Sequence, residues 1–201
     1  MLYPFEIHIT VDDLDPMFQE HTSKIGVKAI TLDLNSNLKD QMTSSKFFGS
    51  YEEVQVEVQR IHRGLEFYGY QVIRTKIETV PWHPDAMISS EPRLNKKYLE
   101  AHLGIRCDLN RIKELQTITD AYGIHMSRNV FKNFGKYFVI MATLRDSNCS
   151  PEEFNDDVQD IVRTLQEHDF ELEKVQQEFV IFDSNVTHDD LWLEGKNEIT
   201  I

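Results

Sequence analysis

The feature that most constrains this chain is a repeat with a period of one hundred residues. Ser50, Tyr51, Glu52 and Glu53, followed by Val54, Val58, Ile61 and Leu65, return as Ser150, Pro151, Glu152 and Glu153 with Phe154, Val158, Ile161 and Leu165. The match runs on through Gly69-Tyr70 against Asp169-Phe170, and through Val72, Arg74 and Glu78 against Leu172, Lys174 and Glu178. A tandem duplication of one module follows, and with it the expectation that any site lies at the joint between the copies.

Each copy reads β-α-β-β-α-β. In the first, Ile7, Ile9 and Val11 alternate with Glu6, His8 and Thr10, the signature of a half-buried strand. A helix with Leu14, Met17, Phe18 and Ile25 inward is expected to end at Gly26. Strands at 29–34 and near 41–45 form a hairpin, Ser50 and Glu53 make a capping box for a helix to about Gly69, and 71–80 returns as a strand. The second copy repeats the order with a strand at 99–107, a helix at 110–122, strands near 124–131 and 137–144, a helix at 151–168 and a strand at 171–182. Because a strand-helix-strand crossover is right-handed, each copy folds most simply as a ferredoxin-like four-stranded antiparallel sheet with its first and third strands central.

The predicted fold is thus α+β, two tandem ferredoxin-like modules whose antiparallel sheets face each other across a cleft. Tyr137 to Leu144 is apolar at both parities, which calls for cover on both faces. The boundaries are 1–80 for the first module, 81–97 for an ordered linker, 98–183 for the second module and 184–201 for an acidic tail. That tail carries Leu191, Trp192 and Leu193, a segment that docks on its own domain or on a protein partner.

Composition limits the partners. With 40% hydrophobic residues the chain is a folded, soluble one, and a formal charge of −13 repels long nucleic acid. No stretch approaches the roughly 20 apolar residues of a membrane span. Cys107 and Cys149 make no disulfide framework, and the amino terminus enters a strand without a leader pattern, so a cytoplasmic location is expected.

On the helix-free face the two first strands present the same pattern, Glu6, His8 and Thr10 in one and Glu100, His102, Gly104 and Arg106 in the other. The last strands add Arg74, Lys76 and Glu78, and Lys174, Gln176 and Glu178. Opposed imidazoles suit acid and base work near neutrality, while Arg74 and Lys76 can neutralise a phosphate oxyanion. The expected ligand is a small phosphorylated or nucleotide-like molecule, bound in the inter-module cleft with no cofactor. A histidine in alternating register also serves as an ordinary solvated sheet residue.

Here the chain resembles the 2H phosphoesterase superfamily, two-lobed proteins in which each lobe brings a strand-borne His-x-Thr/Ser to a shared cleft. His8-Ile9-Thr10 matches the motif; His102-Leu103-Gly104 keeps the histidine without the hydroxyl; His125-Met126-Ser127 matches it literally on another strand. The resemblance implies metal-independent phosphodiester hydrolysis, with His8 and either His102 or His125 as base and acid, and Thr10 or Ser127 holding phosphate. The opening from His8 to Asp15, with Phe18 and Gly26, also resembles the vicinal oxygen chelate superfamily. That likeness implies a divalent metal on His8, Glu78, His102 and Glu178. The third alternative is a non-catalytic interaction or regulatory protein.

Weaker signals read as structure. Met42 to Lys46 before Gly49 is expected to be a turn, His83 and Trp82 to pack in the linker, His125, Arg128 and Lys132 to lie on an edge hairpin, and Asp183 and His188 to Asp190 to be solvated.

Overall fold

A computed structural model describes residues 1–12, 14–35, 38–86, 97–133 and 137–189. The first module comprises β1 (Tyr3–Val11), α1 (Phe18–Ile25), β2 (Lys28–Asn35), β3 (Leu38–Gly49), α2 (Tyr51–Phe67) and β4 (Val72–Thr79). The second comprises β5 (Tyr98–Cys107), α3 (Ile112–Ala121), β6 (His125–Asn133), β7 (Phe138–Asp146), α4 (Pro151–Glu167) and β8 (Glu171–Asp183). The duplicated order is therefore observed, with β1 and β3 central in one sheet and β5 and β7 in the other.

The repeat is most faithful where helix meets sheet. Ser50 and Ser150 each accept from the backbone N–H of the glutamate three residues on, and Glu53 and Glu153 each accept from the cap's own N–H, so both long helices start on complete capping boxes. Their buried stripes are Val54, Val58, Ile61 and Leu65, and Phe154, Val158, Ile161 and Leu165. These pack on the outward faces of the central strands, Ile7 and Ile9 of β1, and Leu103 and Ile105 of β5, in one apolar cluster. Truncating either fully buried isoleucine of the pair, Ile61 or Ile161, is expected to cost about 2–5 kcal/mol. After α2 the chain turns at Gly69 (φ 87°); Asp169 takes the same left-handed turn after α4 (φ 56°).

The two sheets do not stop at facing each other. Their edges pair, β2 with β6 and β4 with β8, both antiparallel, closing a ring in the order β1-β3-β2-β6-β7-β5-β8-β4. The expected cleft is thus the lumen of an eight-stranded barrel with the helices outside. Closure follows from strand number and coiling: eight twisted strands are enough to bring the edges within hydrogen-bonding reach, and closing removes them. The inner side of the apolar strand β7 is the barrel interior, which Met141 and Thr143 line.

Several local expectations are corrected. Leu14 and Met17 are exposed and precede α1, whose buried residues are Phe18 and Thr22. β3 runs twelve residues rather than about five, so the strand expected near 41–45 is observed and Met42 to Lys46 continues it instead of turning. β6 is no edge, because β2 and β7 flank it. In the linker, His83 is packed against the rings of Tyr3, Phe5 and Phe179, while Trp82 is exposed; residues 87–96 lie outside the described residues.

Asp183 and His188 are not solvated. Asp183 is fully buried between Arg74 and Tyr98, and His188 Nε2 lies 2.8 Å from Asp40 Oδ2. The chain after β8 therefore runs from β4, where Thr75 and Ser184 exchange hydrogen bonds, to the start of β3. Leu191, Trp192 and Leu193 fall outside the described residues. No helix among the described residues is long and apolar enough to cross a membrane.

Candidate functional site

Strand parity decides what faces the lumen. On β1, Glu6, His8 and Thr10 point inward, opposite Glu78, Lys76 and Arg74 of β4 in register. On β5, Glu100 and His102 point inward, opposite Glu178 and Gln176 of β8, with Arg145 and Thr143 of β7 on the other side. These residues line a cavity of about 290 Å³, to which Ser127, Met42, Met141 and the exposed Lys28 and Lys174 also contribute.

The wall holds a continuous chain of ionic contacts. His8 Nε2 lies 3.1 Å from Glu78 Oε2; Lys76 Nζ lies 2.6 Å from Glu78 Oε1 and 2.6 Å from Glu100 Oε2; His102 Nε2 lies 3.3 Å from that same glutamate oxygen. Arg145 donates to Glu100 Oε1 at 2.7 Å. Both module histidines thus reach one ligand-sized space, linked through Lys76.

Electrostatics follows from this packing. Burial works against charge on His8, but the Glu78 carboxylate beside it raises its pKa above the usual 6.5. The hydrogen bonds agree, since Nδ1 faces the carbonyl of Thr43 at 3.2 Å and Nε2 faces Glu78, so both nitrogens are best served as donors. Burial also opposes charge on Glu78 and Glu100, yet Lys76 outweighs it and holds both below the ordinary carboxylate range. Glu178 goes the other way. Burial, with the Glu78 charge next in importance, pushes its carboxyl up to about 7.

Two donor sets have metal-ligating geometry, Glu6 with His8 and Glu78, and Glu78 with Glu100 and His102. The second already contains a cation, the Lys76 ammonium between its two glutamates. Of the chelate-type quartet, His8 and Glu78 touch directly, and His102 Nε2 lies 3.6 Å from Glu178 Oε2.

His8, Thr10, Arg74, Lys76, Glu78, His102 and Ser127 therefore all line the lumen. Arg74 is held by Asp183 through two hydrogen bonds, at 3.0 and 2.6 Å. His125 pairs in register with lumen-lining Thr143, and so shares the inward side of β6 with Ser127, but lies outside the cavity lining that His8 and His102 share. Arg106 sits outside that lining, stacked on Tyr137 and paired with Glu171. Arg145, Thr143, Lys28 and Asp40 were missed. Arg145 was legible in principle, as the only basic residue of the Phe138–Asp146 strand, in register with Glu100.

No protein-family model matches the chain, and no curated protein matches it. Among solved structures, the small subunit of acetolactate synthase from Thermotoga maritima aligns at 9% identity with a TM-score of 0.30, covering 89% of this chain and 94% of that one. A candidate glycine cleavage system transcriptional repressor aligns at 14% identity and a TM-score of 0.30, covering 89% and 98%. Likeness at this level carries neither a fold nor a function across, and the functional reading rests on the barrel itself.

Proposed function

We propose that the chain is a small-ligand-binding protein whose site is the barrel lumen, with recognition rather than phosphodiester hydrolysis as its task. One observation carries this reading: a cavity of about 290 Å³ is kept open and lined by buried ion pairs. A barrel of this strand number can fill its interior with side chains or hold one small ligand. Filling it with apolar side chains is commonly as stable as, or more stable than, burying charge pairs. An interior that stays both polar and hollow is therefore explained by what enters it. The volume lies near the low end of ligand pockets, about 300–1,000 Å³.

Two features speak against paired-histidine hydrolysis. Both nitrogens of His8 are engaged by Thr43 and Glu78, and both of His102 by Thr143 and the glutamates. A phosphodiester in the lumen would also meet Glu6, Glu78, Glu100 and Glu178, while Lys76 and Arg145 are already committed to carboxylates. With Arg74 held by Asp183, Lys28 and Lys174, exposed at the cavity lining, are the cations among the described residues that remain for an anionic group of the ligand.

The test is a calorimetric screen of small polar molecules against the full chain and Met141→Trp, which fills the lumen from β7. Binding that Met141→Trp weakens at least tenfold, with no turnover of phosphodiester probes, is the expected result. Turnover that disappears in both His8→Ala and His102→Ala would replace this reading with the hydrolytic one.

A further inference from the structure

The pseudo-twofold axis relates Glu6 to Glu100, His8 to His102, Glu78 to Glu178 and Lys76 to Gln176, as the registers of β1 with β4 and of β5 with β8 require. Lys76 Nζ bridges Glu78 of its own strand and Glu100 two strands away in the ring. The mate of that bridge would join Glu178 to Glu6. There the chain has Gln176, a neutral side chain that donates to Glu178 Oε1. The flanking cations differ too. Arg145, in register with Glu100, binds it at 2.7 Å; Lys46, in register with Glu6, is exposed, and Glu6 accepts instead from Ser44 Oγ at 2.7 Å.

Half of the lumen is thus supplied with its own ammonium and the other half is not. Of the lumen's basic residues, Lys76 and Arg145 pair with Glu78 and Glu100, Arg74 is held by Asp183, and Lys28 and Lys174 are exposed, so the buried cations serve the Glu78 and Glu100 side and the shortfall lies on the Glu6 and Glu178 side. Glu178 is only 8% exposed. Its neighbours in the field are Glu78, His102, Lys76 and Glu6, and burial with the Glu78 charge raises the pKa of Glu178, as the Glu78 charge raises that of His8 despite burial. Space is at hand, since Glu6, Glu78, Gln176 and Glu178 line both the lumen and a second hollow of about 370 Å³.

Building on the lumen reading, we propose that the place symmetric to the Lys76 ammonium, between Glu6 and Glu178, receives the ammonium group of a small organic amine. The internal precedent is direct, because the equivalent carboxylates of the other half hold an ammonium at 2.6 Å. Charge-assisted hydrogen bonds to two buried carboxylates supply both affinity and discrimination against a neutral hydroxyl in the same place.

The experiment is isothermal titration calorimetry of the full chain at pH 8 with a series of n-alkylamines, the matching n-alkanols, and magnesium, manganese and zinc ions. An amine is expected to bind at least tenfold more tightly than its alcohol. Gln176→Lys, which builds the missing ammonium into the protein, should weaken the amine at least tenfold and raise Tm. Glu178→Gln, which removes a carboxylate without filling the space, should weaken it as well. Equal affinity for amine and alcohol, or an amine isotherm unchanged by both variants, would overturn the proposal. So would a divalent ion that binds alone, is lost in Glu6→Gln and is not displaced by amine. If other polar molecules bind in a manner sensitive to Met141→Trp while amines do not, the ammonium site fails and the lumen reading stands; if nothing binds, both fail.

Discussion

The two modules are near copies on their outer surface and differ on their inner one. Toward the helices, Val54, Val58, Ile61 and Leu65 have apolar mates at 154, 158, 161 and 165, each buried. Toward the lumen, glutamate and histidine recur, but Thr10 faces Gly104 as its mate, Arg74 faces Lys174 and Lys76 faces Gln176. Packing a helix on a sheet imposes the same demand twice, so both copies answer it alike. A single ligand in a two-fold cavity imposes no such symmetry, and the inner differences are where the demands of function are to be sought.

Variants made in mate pairs put this contrast under strain. Lys76→Met leaves Glu78 and Glu100 buried without their shared cation and should cost about 3–5 kcal/mol in urea unfolding, whereas Gln176→Met should cost under about 1 kcal/mol. Equal losses would mean that the halves are electrostatically alike. Arg74→Ala, which strands buried Asp183, should cost about 2–4 kcal/mol, and Lys174→Ala, on an exposed side chain, less than about 0.5 kcal/mol.

The pH dependence sharpens the contrast at the level of single protons. Glu178 keeps its proton up to about 7 when folded but loses it near 4.5 when unfolded, so stability falls as pH rises across that interval. His8, also raised when folded, acts in the same direction, its contribution being complete below 6.5 and lost as pH climbs through its folded value. Urea unfolding followed from pH 5 to pH 8 should show a decline of about 1–3 kcal/mol, which Glu178→Gln largely flattens. Glu78, held low, works oppositely and loses its contribution only as pH drops below 4.5. A small effect of opposite sign belongs to the turns after the long helices. Asp169→Gly, matching Gly69, relieves a left-handed residue at some cost in chain entropy and should raise stability by about 0.5 kcal/mol, read as a shift of the thermal midpoint.

What the sequence disclosed depended on range. The inward row of Glu6, His8 and Thr10 was legible because parity along one strand is local, and the second row followed from the repeat. Ring closure was not legible. It rests on β2 meeting β6 and β4 meeting β8, pairings that depend on the coiling of whole sheets rather than on any short pattern. Leu14 and Met17 misled because apolar residues beside a helix resemble its first turn. Asp183 misled because an acidic carboxy-terminal stretch looks solvated, while its partner Arg74 lies 109 positions away. Arg145 hid at the end of an apolar run that drew attention to packing.

Mutual edge pairing also has a consequence for assembly. Each half supplies the strand against which the other half's outermost backbone donors and acceptors are satisfied, so a half set free would expose two ready seams, β2 and β4 or β6 and β8. Such a fragment is built to find a sister, in cis as here or in trans between chains, and the linker serves as a tether that keeps the exchange within one molecule.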